Sequence, residues 1–295
     1  MNIENIHPHW GSRITNLSSP QEFFNIPADT WRGLLYDRKL LVFKNMQFTK
    51  EEYYKFCCSF GKPWDKFDYG YSKEKVDKFF IGNKEVALSP MSNLNTPRLG
   101  QKMMPWHADI PNKRINPFPH RSLWITKNPG PDSGLTIFLN IEEGLHRLTP
   151  ELESAIPNIK IVQQSWYYEN TELKYFDFVK KHPLTGNDSL RLNFFNVPET
   201  NLTDAWIKKV IVNGVEMDPK PILGPYLKHL SSQENLVYTH KWDTYDILIY
   251  DNWPLVHKRT RLEFDPTLER HFYRANVDHV SGDEWETHKE ETGRL

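Results

Sequence analysis

His107 and Asp109 stand two residues apart in Pro105-Trp106-His107-Ala108-Asp109. On an extended strand, residues i and i+2 point to one face, so this spacing sets an imidazole beside a carboxylate. These are two of the three ligands that a 2-His-1-carboxylate set presents to one face of an octahedral iron, leaving three positions open. The third must come from elsewhere. His257 follows Asp251-Asn252-Trp253-Pro254-Leu255-Val256, itself preceded by the apolar run Ile247-Leu248-Ile249-Tyr250. It is expected at or just past a strand end. H-x-D by itself is a common pair that also forms plain surface salt bridges. Zinc accepts the same donors, so a zinc hydrolase stays open beside an iron oxygenase.

Arg270 and Arg274 follow His257 by 13 and 17 residues. On a strand, Arg270, Phe272 and Arg274 share a face. A guanidinium facing a core is costly unless it meets an anion, and its planar fork suits a carboxylate. Upstream of the H-x-D, Phe67, Tyr69, Tyr71, Met103 and Met104 form an aromatic and thioether-rich region that would wall a pocket for an aromatic ring. Core packing would use the same residues.

The positioning elements are mostly strands. Leu40-Leu41-Val42-Phe43 reads as a short buried strand. Thr49-Lys50-Glu51-Glu52 is a capping box opening a helix whose Tyr53, Phe56, Cys57 and Phe60 fall on one face. Gly61 and Pro63 close that helix. Beyond residue 84, segments 121–126, 134–139, 159–166, 190–195, 234–239, 246–250 and 270–277 are rich in β-branched or aromatic residues and read as strands. Two helices interrupt them, over about 203–212, capped by Thr203 or Asp204, and about 221–231. The pattern predicts a mainly β chain, a sandwich or barrel with helices packed outside. With 295 residues, no repeat and no long linker, a single domain over 1–295 is the simplest organisation.

Composition excludes several classes. A net charge of −1 leaves no basic footprint for nucleic acid. No apolar run is long enough to span a membrane. Met1-Asn2-Ile3-Glu4-Asn5 lacks the charged and apolar regions of a secretory leader, so a cytoplasmic location is expected. The two cysteines, Cys57 and Cys58, are adjacent and build no disulfide framework. There is no G-x-G-x-x-G, P-loop, G-x-S-x-G, H-E-x-x-H or C-x-x-C. Isolated histidines such as His146, His182 and His240 read as packed or surface residues. Oligomeric state has no signature in the sequence.

Taken in order, the segments resemble the TauD/TfdA family of Fe(II)- and 2-oxoglutarate-dependent dioxygenases. Leu40-Leu41-Val42-Phe43 through Phe60-Gly61-Lys62-Pro63-Trp64 is similar to the family's opening strand, helix and FG ending. Trp106-His107-Ala108-Asp109 resembles its W-H-x-D, and Pro131-Asp132-Ser133-Gly134-Leu135-Thr136 its small-residue turn and threonine. His182-Pro183-Leu184-Thr185-Gly186 resembles H-P-x-T-G. Asp251-Asn252 with His257 and the paired arginines resemble the closing D-N…H and final strand.

The resemblance implies a double-stranded β-helix (jelly roll) and an oxidoreductase using Fe(II), 2-oxoglutarate and O2 on a small-molecule substrate. His107, Asp109 and His257 would bind iron. Arg270 and Thr136 would hold the distal carboxylate of 2-oxoglutarate, and Arg274 would face the primary substrate. Trp253 stands where the family often has arginine. Asp109 is present, so the open halide site of the halogenating relatives is not expected.

Within the family, Trp106 through Asn112 followed by Phe118-Pro119-His120-Arg121-Ser122-Leu123 is similar to the isonitrile-biosynthesis oxygenases of the paerucumarin and rhabduscin type. That implies tyrosine isonitrile as substrate and desaturation, with or without loss of the substrate carboxylate. The alternatives are a taurine- or alkylsulfonate-type hydroxylating dioxygenase and, from another class, a jelly-roll binding module without catalysis.

Overall fold

Leu40-Leu41-Val42-Phe43 contains no polar residue because both its faces are covered. In this computed structural model, which describes residues 1–17, 19–63, 88–94, 103–109, 119–163, 174–192 and 207–278, all four side chains of the strand are buried. Leu41 and Phe43 pack toward helices, together with Ile247 and Ile249. Leu40 and Val42 pack toward a second sheet, together with Leu248 and Tyr250. A strand covered on both faces reads as a continuous apolar run rather than an alternation.

The larger sheet has eight strands: β1 (Asn2–Asn5), β2 (Ser12–Thr15), β3 (Leu40–Phe43), β4 (Lys62–Pro63), β5 (Ser89–Ser92), β7 (His120–Lys127), β16 (Ile247–Asp251) and β18 (His271–Asp278). Their order is β1-β2-β3-β16-β7-β18-β4, with β5 also on β18; among the described strands of this sheet only β2 and β3 pair in parallel. The smaller sheet is β15-β8-β17-β6, from β6 (Met104–His107), β8 (Thr136–Asn140), β15 (Val237–His240) and β17 (Leu255–Arg259). Trp10, Ile125, Phe138, Trp242, Leu248 and Leu255 fill the space between the sheets.

Three helices cover the outside of the larger sheet: α1 (Pro20–Phe24), α2 (Ala28–Arg38) and α3 (Lys50–Cys58). The capping box of α3 forms as expected. Glu52 N–H donates to Thr49 Oγ1 at 3.1 Å, and Thr49 N–H donates to Glu52 Oε2 at 2.7 Å. Tyr53, Phe56, Cys57 and Phe60 are then buried on one face. A third sheet, β10-β9-β13-β14, comprises β9 (Ile159–Gln163), β10 (Lys174–Asp177), β13 (Ile207–Val212) and β14 (Val215–Met217). With α4 (Ile141–Leu145), α5 (Pro150–Ala155) and α6 (Pro219–Ser231), it covers the outside of the smaller sheet. A hairpin, β11 (Val179–Lys181) with β12 (Asp188–Leu190), completes the described strands. Among the described residues no helix is long and apolar enough to cross a membrane.

Several expectations need correction. The helix expected over 203–212 is strand β13 from Ile207; Thr203 and Asp204 lie outside the described residues. Its run Ile207-Lys208-Lys209-Val210-Ile211-Val212 is dominated by β-branched side chains, which favour a pleated surface. The strand expected over 190–195 ends at Leu190, and Arg191 and Leu192 leave it as loop. Residues 234–236 form a 3₁₀ turn before β15, and within 159–166 the described strand ends at Gln163. The helix expected over 221–231 is present as α6, entered through Pro219, a residue suited to a first helical turn.

Candidate active site

His107 and His257 sit on adjacent strands of the smaller sheet. They are direct cross-strand partners in β6 and β17, with ring centroids 4.1 Å apart. His257 therefore lies within a strand, not at or past a strand end as its distance from β16 suggested. The turn at Asn252-Trp253-Pro254 is tight enough to start β17 at Leu255. Asp109 lies two residues beyond the end of β6. The candidate ligand atoms of His107, Asp109 and His257 all lie within 4.8 Å of one another.

His107 and Asp109 are each held from behind. The His107 Nδ1 position lies 2.7 Å from the Pro105 carbonyl, so Nδ1–H donates there and Nε2 keeps its lone pair. Asn252 clamps the backbone of Asp109: Asp109 N–H donates to Asn252 Oδ1 at 3.2 Å, and Asn252 Nδ2 donates to the Asp109 carbonyl at 2.9 Å. The Asp109 carboxylate accepts from Arg121 through both oxygens, from Nε at 2.8 Å and from Nη2. Tyr250 O–H donates to Oδ2 at 3.1 Å, and that oxygen lies 3.6 Å from His257 Nε2.

The electrostatics favour metal binding. Burial pushes the His107 and His257 imidazoles toward the neutral form. Burial would raise the Asp109 carboxyl, but the Arg121 guanidinium, with His257, holds it far below the usual carboxylate range. Two neutral imidazoles and one carboxylate are the protonation states a divalent metal requires.

A cavity of about 140 Å³ opens beside this set, between the two sheets. Thr136, Arg270, Arg274 and Met104 line it together with His107, Asp109 and His257. Met103 lies outside the lining. Phe67, Tyr69 and Tyr71 lie outside the described residues. Arg270 is buried just before β18. Its Nη2 donates to the Gly134 carbonyl at 2.8 Å, while Nε and Nη1 have no hydrogen-bond partner among the described residues. Burial, and then Arg259 nearby, disfavours the charge of this guanidinium. A buried guanidinium with two unsatisfied donors beside a metal-ready set fits a carboxylate ligand. Gly134, at φ +60°, makes room for it, because a Cβ there would run into the Arg270 side chain.

Thr136, the first residue of β8, accepts a hydrogen bond at Oγ1 from Trp242 Nε1 at 2.9 Å. With that lone pair taken, the hydroxyl proton is turned toward another acceptor, and the cavity is where one would enter. With a dicarboxylate ligand in the cavity, Trp242→Phe should therefore weaken its binding about 2- to 10-fold, the worth of one hydrogen bond of ~0.5–1.5 kcal/mol. In a Thr136→Val background the same change should have no further effect; calorimetric titration of the four proteins checks this. A full additional loss in the double variant would dissociate Trp242 from Thr136.

Other motif residues turn outward. Asp251 faces away from the cavity and meets His182 Nε2 at 2.8 Å. The Nδ1 of His182 accepts the N–H groups of Leu184 and Thr185, both at 3.1 Å, so the H-P-x-T-G stretch is a buried turn support. Burial would raise the Asp251 carboxyl, but His182 brings it down to about 2. Tyr250, Asn252, Arg121 and Trp242 escaped the sequence reading as site residues. Polar side chains within or beside apolar strand runs, at Arg121 in β7 above all, are the signal that could have found them.

The family described as taurine catabolism dioxygenase TauD, TfdA family matches residues 2–276. The chain is similar in structure to AAD-2 in complex with Mn(II) and N-oxalylglycine, at TM-score 0.66 and 20% identity over 94% of this chain and 96% of that one. It is similar to a taurine dioxygenase from Burkholderia xenovorans at TM-score 0.65 and 19% identity, over 94% and 90% of the two chains. It is similar to PvcB from Pseudomonas aeruginosa at TM-score 0.66 and 16% identity, over 94% and 91%. These likenesses carry the fold, a jelly roll with helices packed outside. No curated protein matches the sequence.

Proposed function

Because this chain belongs to the TauD/TfdA family of iron- and 2-oxoglutarate-dependent dioxygenases, we propose that His107, Asp109 and His257 hold its Fe(II), with Arg270 and Thr136 holding 2-oxoglutarate. The observation that carries this is the buried, half-satisfied guanidinium of Arg270 in the cavity that the ligand set also lines. When bound, iron and 2-oxoglutarate together supply the oxidising power: O2 takes two electrons from 2-oxoglutarate, giving succinate and CO2, and two from the substrate. The chain's residues bind and orient. Arg270 and Thr136 fix one end of the co-substrate, and Pro105, Asn252 and Arg121 fix His107 and Asp109. Phe272 and Leu123 keep the cavity wall apolar, and side reactions with water are limited in such a site. A zinc hydrolase reading would leave Arg270 and Thr136 without a role.

The substrate in this reading is a small carboxylate with an aromatic ring, tyrosine isonitrile, and the reaction is desaturation with or without decarboxylation. Arg274 supports it. It lies on β18 opposite Leu123, lines the cavity, and shares a face with Arg270 and Phe272. Arg274→Ala should then cost substrate-dependent turnover at least tenfold and leave substrate-free 2-oxoglutarate decarboxylation unchanged. Arg274→Lys should restore part of it, because the planar fork is lost. Incubation with tyrosine isonitrile, iron, 2-oxoglutarate and O2 should give a product lighter by two hydrogens, or by those and CO2. A sulfonate also suits Arg274, so a taurine-type hydroxylation is the second reading. Succinate release with taurine and none with tyrosine isonitrile would select it.

A further inference from the structure

We infer that Arg121 is a positioning residue of the metal site: it fixes the Asp109 carboxylate and sets a permanent positive charge beside the metal, favouring Fe(II) over Fe(III). This rests on His107, Asp109 and His257 being the metal ligands.

Arg121 is the second residue of β7, in the middle of the larger sheet. Its cross-strand partners are Tyr250 on β16 and Asn276 on β18, and only 4% of its surface is exposed. A guanidinium at such a place is costly unless an anion meets it. The anion it meets is Asp109, and the contact is two-pronged: Nε to Oδ2 at 2.8 Å and Nη2 to Oδ1. The paired geometry locks the carboxylate plane, since turning it breaks two charge-assisted bonds at once. Asn252 already holds the Asp109 backbone, so Arg121 adds control of the side chain alone.

The consequence is electronic as well as geometric. A carboxylate that donates to a metal while accepting from a guanidinium is a weaker donor. The nearby positive charge also opposes a further positive charge on the metal. Both effects favour the ferrous state. Neutral hydrogen-bond donors would align the carboxylate but, carrying no net charge, would shift this balance less, which separates the inference from a purely structural role.

The test is the Fe(III)/Fe(II) midpoint potential of the iron-loaded protein without 2-oxoglutarate, measured by one-electron exchange with mediator dyes. Arg121→Gln should shift the oxidation equilibrium toward Fe(III) at least tenfold, ~59 mV lower for one electron. Arg121→Lys, which keeps the charge without the fork, should stay close to the wild-type potential. Equal potentials for wild type and Arg121→Gln would overturn the inference. Should the glutamine variant not fold, Arg121→Met takes its place in the same titration with the same expected shift, and the wild-type protein loaded with diamagnetic zinc tests the contact itself. The Arg121 Nε–H should exchange slowly with solvent by NMR, and rapid exchange would mean that Arg121 releases Asp109 when metal binds. A wild-type protein that takes up no iron would instead overturn the metal reading itself.

Discussion

Asp109→Ala is expected to abolish turnover and to weaken divalent-metal binding by more than the 10- to 100-fold typical of losing an outer hydrogen-bond partner. In the proposed site it removes one of three protein ligands, and the one that carries charge. The same change should lower stability, which the sequence alone gives no reason to expect. Asp109 is the partner of Arg121, whose side chain is 5% exposed against 16% for Asp109. Breaking a buried pair from one side costs about 3–5 kcal/mol, and partial exposure of Asp109 places this case toward the lower end. Thermal unfolding of the metal-free proteins checks it. The pair Asp109→Ala with Arg121→Met should recover part of the lost stability, because no unpaired guanidinium remains, and should recover no activity. Recovery of activity would remove Asp109 from the ligand set.

Arg270→Ala has the second large effect, and its signature is selectivity. In the proposed complex it would leave a buried carboxylate of 2-oxoglutarate unpaired, at a cost of about 2–5 kcal/mol. At 1.4 kcal/mol per tenfold, that is a rise of roughly 30-fold to several thousand-fold in the 2-oxoglutarate requirement. Iron binding should be nearly unchanged, since among the described residues Arg270 bonds to the Gly134 carbonyl and to none of the candidate ligands. Without 2-oxoglutarate, Arg270→Leu should not destabilise the protein. Two donors of this guanidinium are unsatisfied among the described residues, and burial disfavours its charge. Unaltered 2-oxoglutarate kinetics in Arg270→Ala would take the residue out of the role.

The strands that position the site were legible where local pattern decides them. Leu40–Phe43 and residues 247–250 are continuous apolar runs because two layers cover them, and α3 is announced by Thr49 and Glu52. The 203–212 segment misled because capping residues outweighed the β-branched run from Ile207, whose pairing with β9 is a long-range fact. The candidate ligand triad and the two arginines were visible as residue types at telling intervals. Their supports were not, because Asn252 meets Asp109 across 143 positions of sequence and Trp242 meets Thr136 across 106. Arg121 stood inside a recognised stretch, yet only the fold brings it back onto Asp109, 12 residues earlier.

One measurement bears on the site assignment most directly. Under anaerobic conditions, Fe(II) and then 2-oxoglutarate are added to the wild-type, Asp109→Ala and Arg270→Ala proteins, and the visible spectrum is followed. The account predicts a charge-transfer band of the chelated keto acid in the wild type. The band should be missing in Asp109→Ala and reached in Arg270→Ala only at far higher 2-oxoglutarate concentration. A band in Asp109→Ala equal to that of the wild type, or the same 2-oxoglutarate dependence in Arg270→Ala, would contradict it.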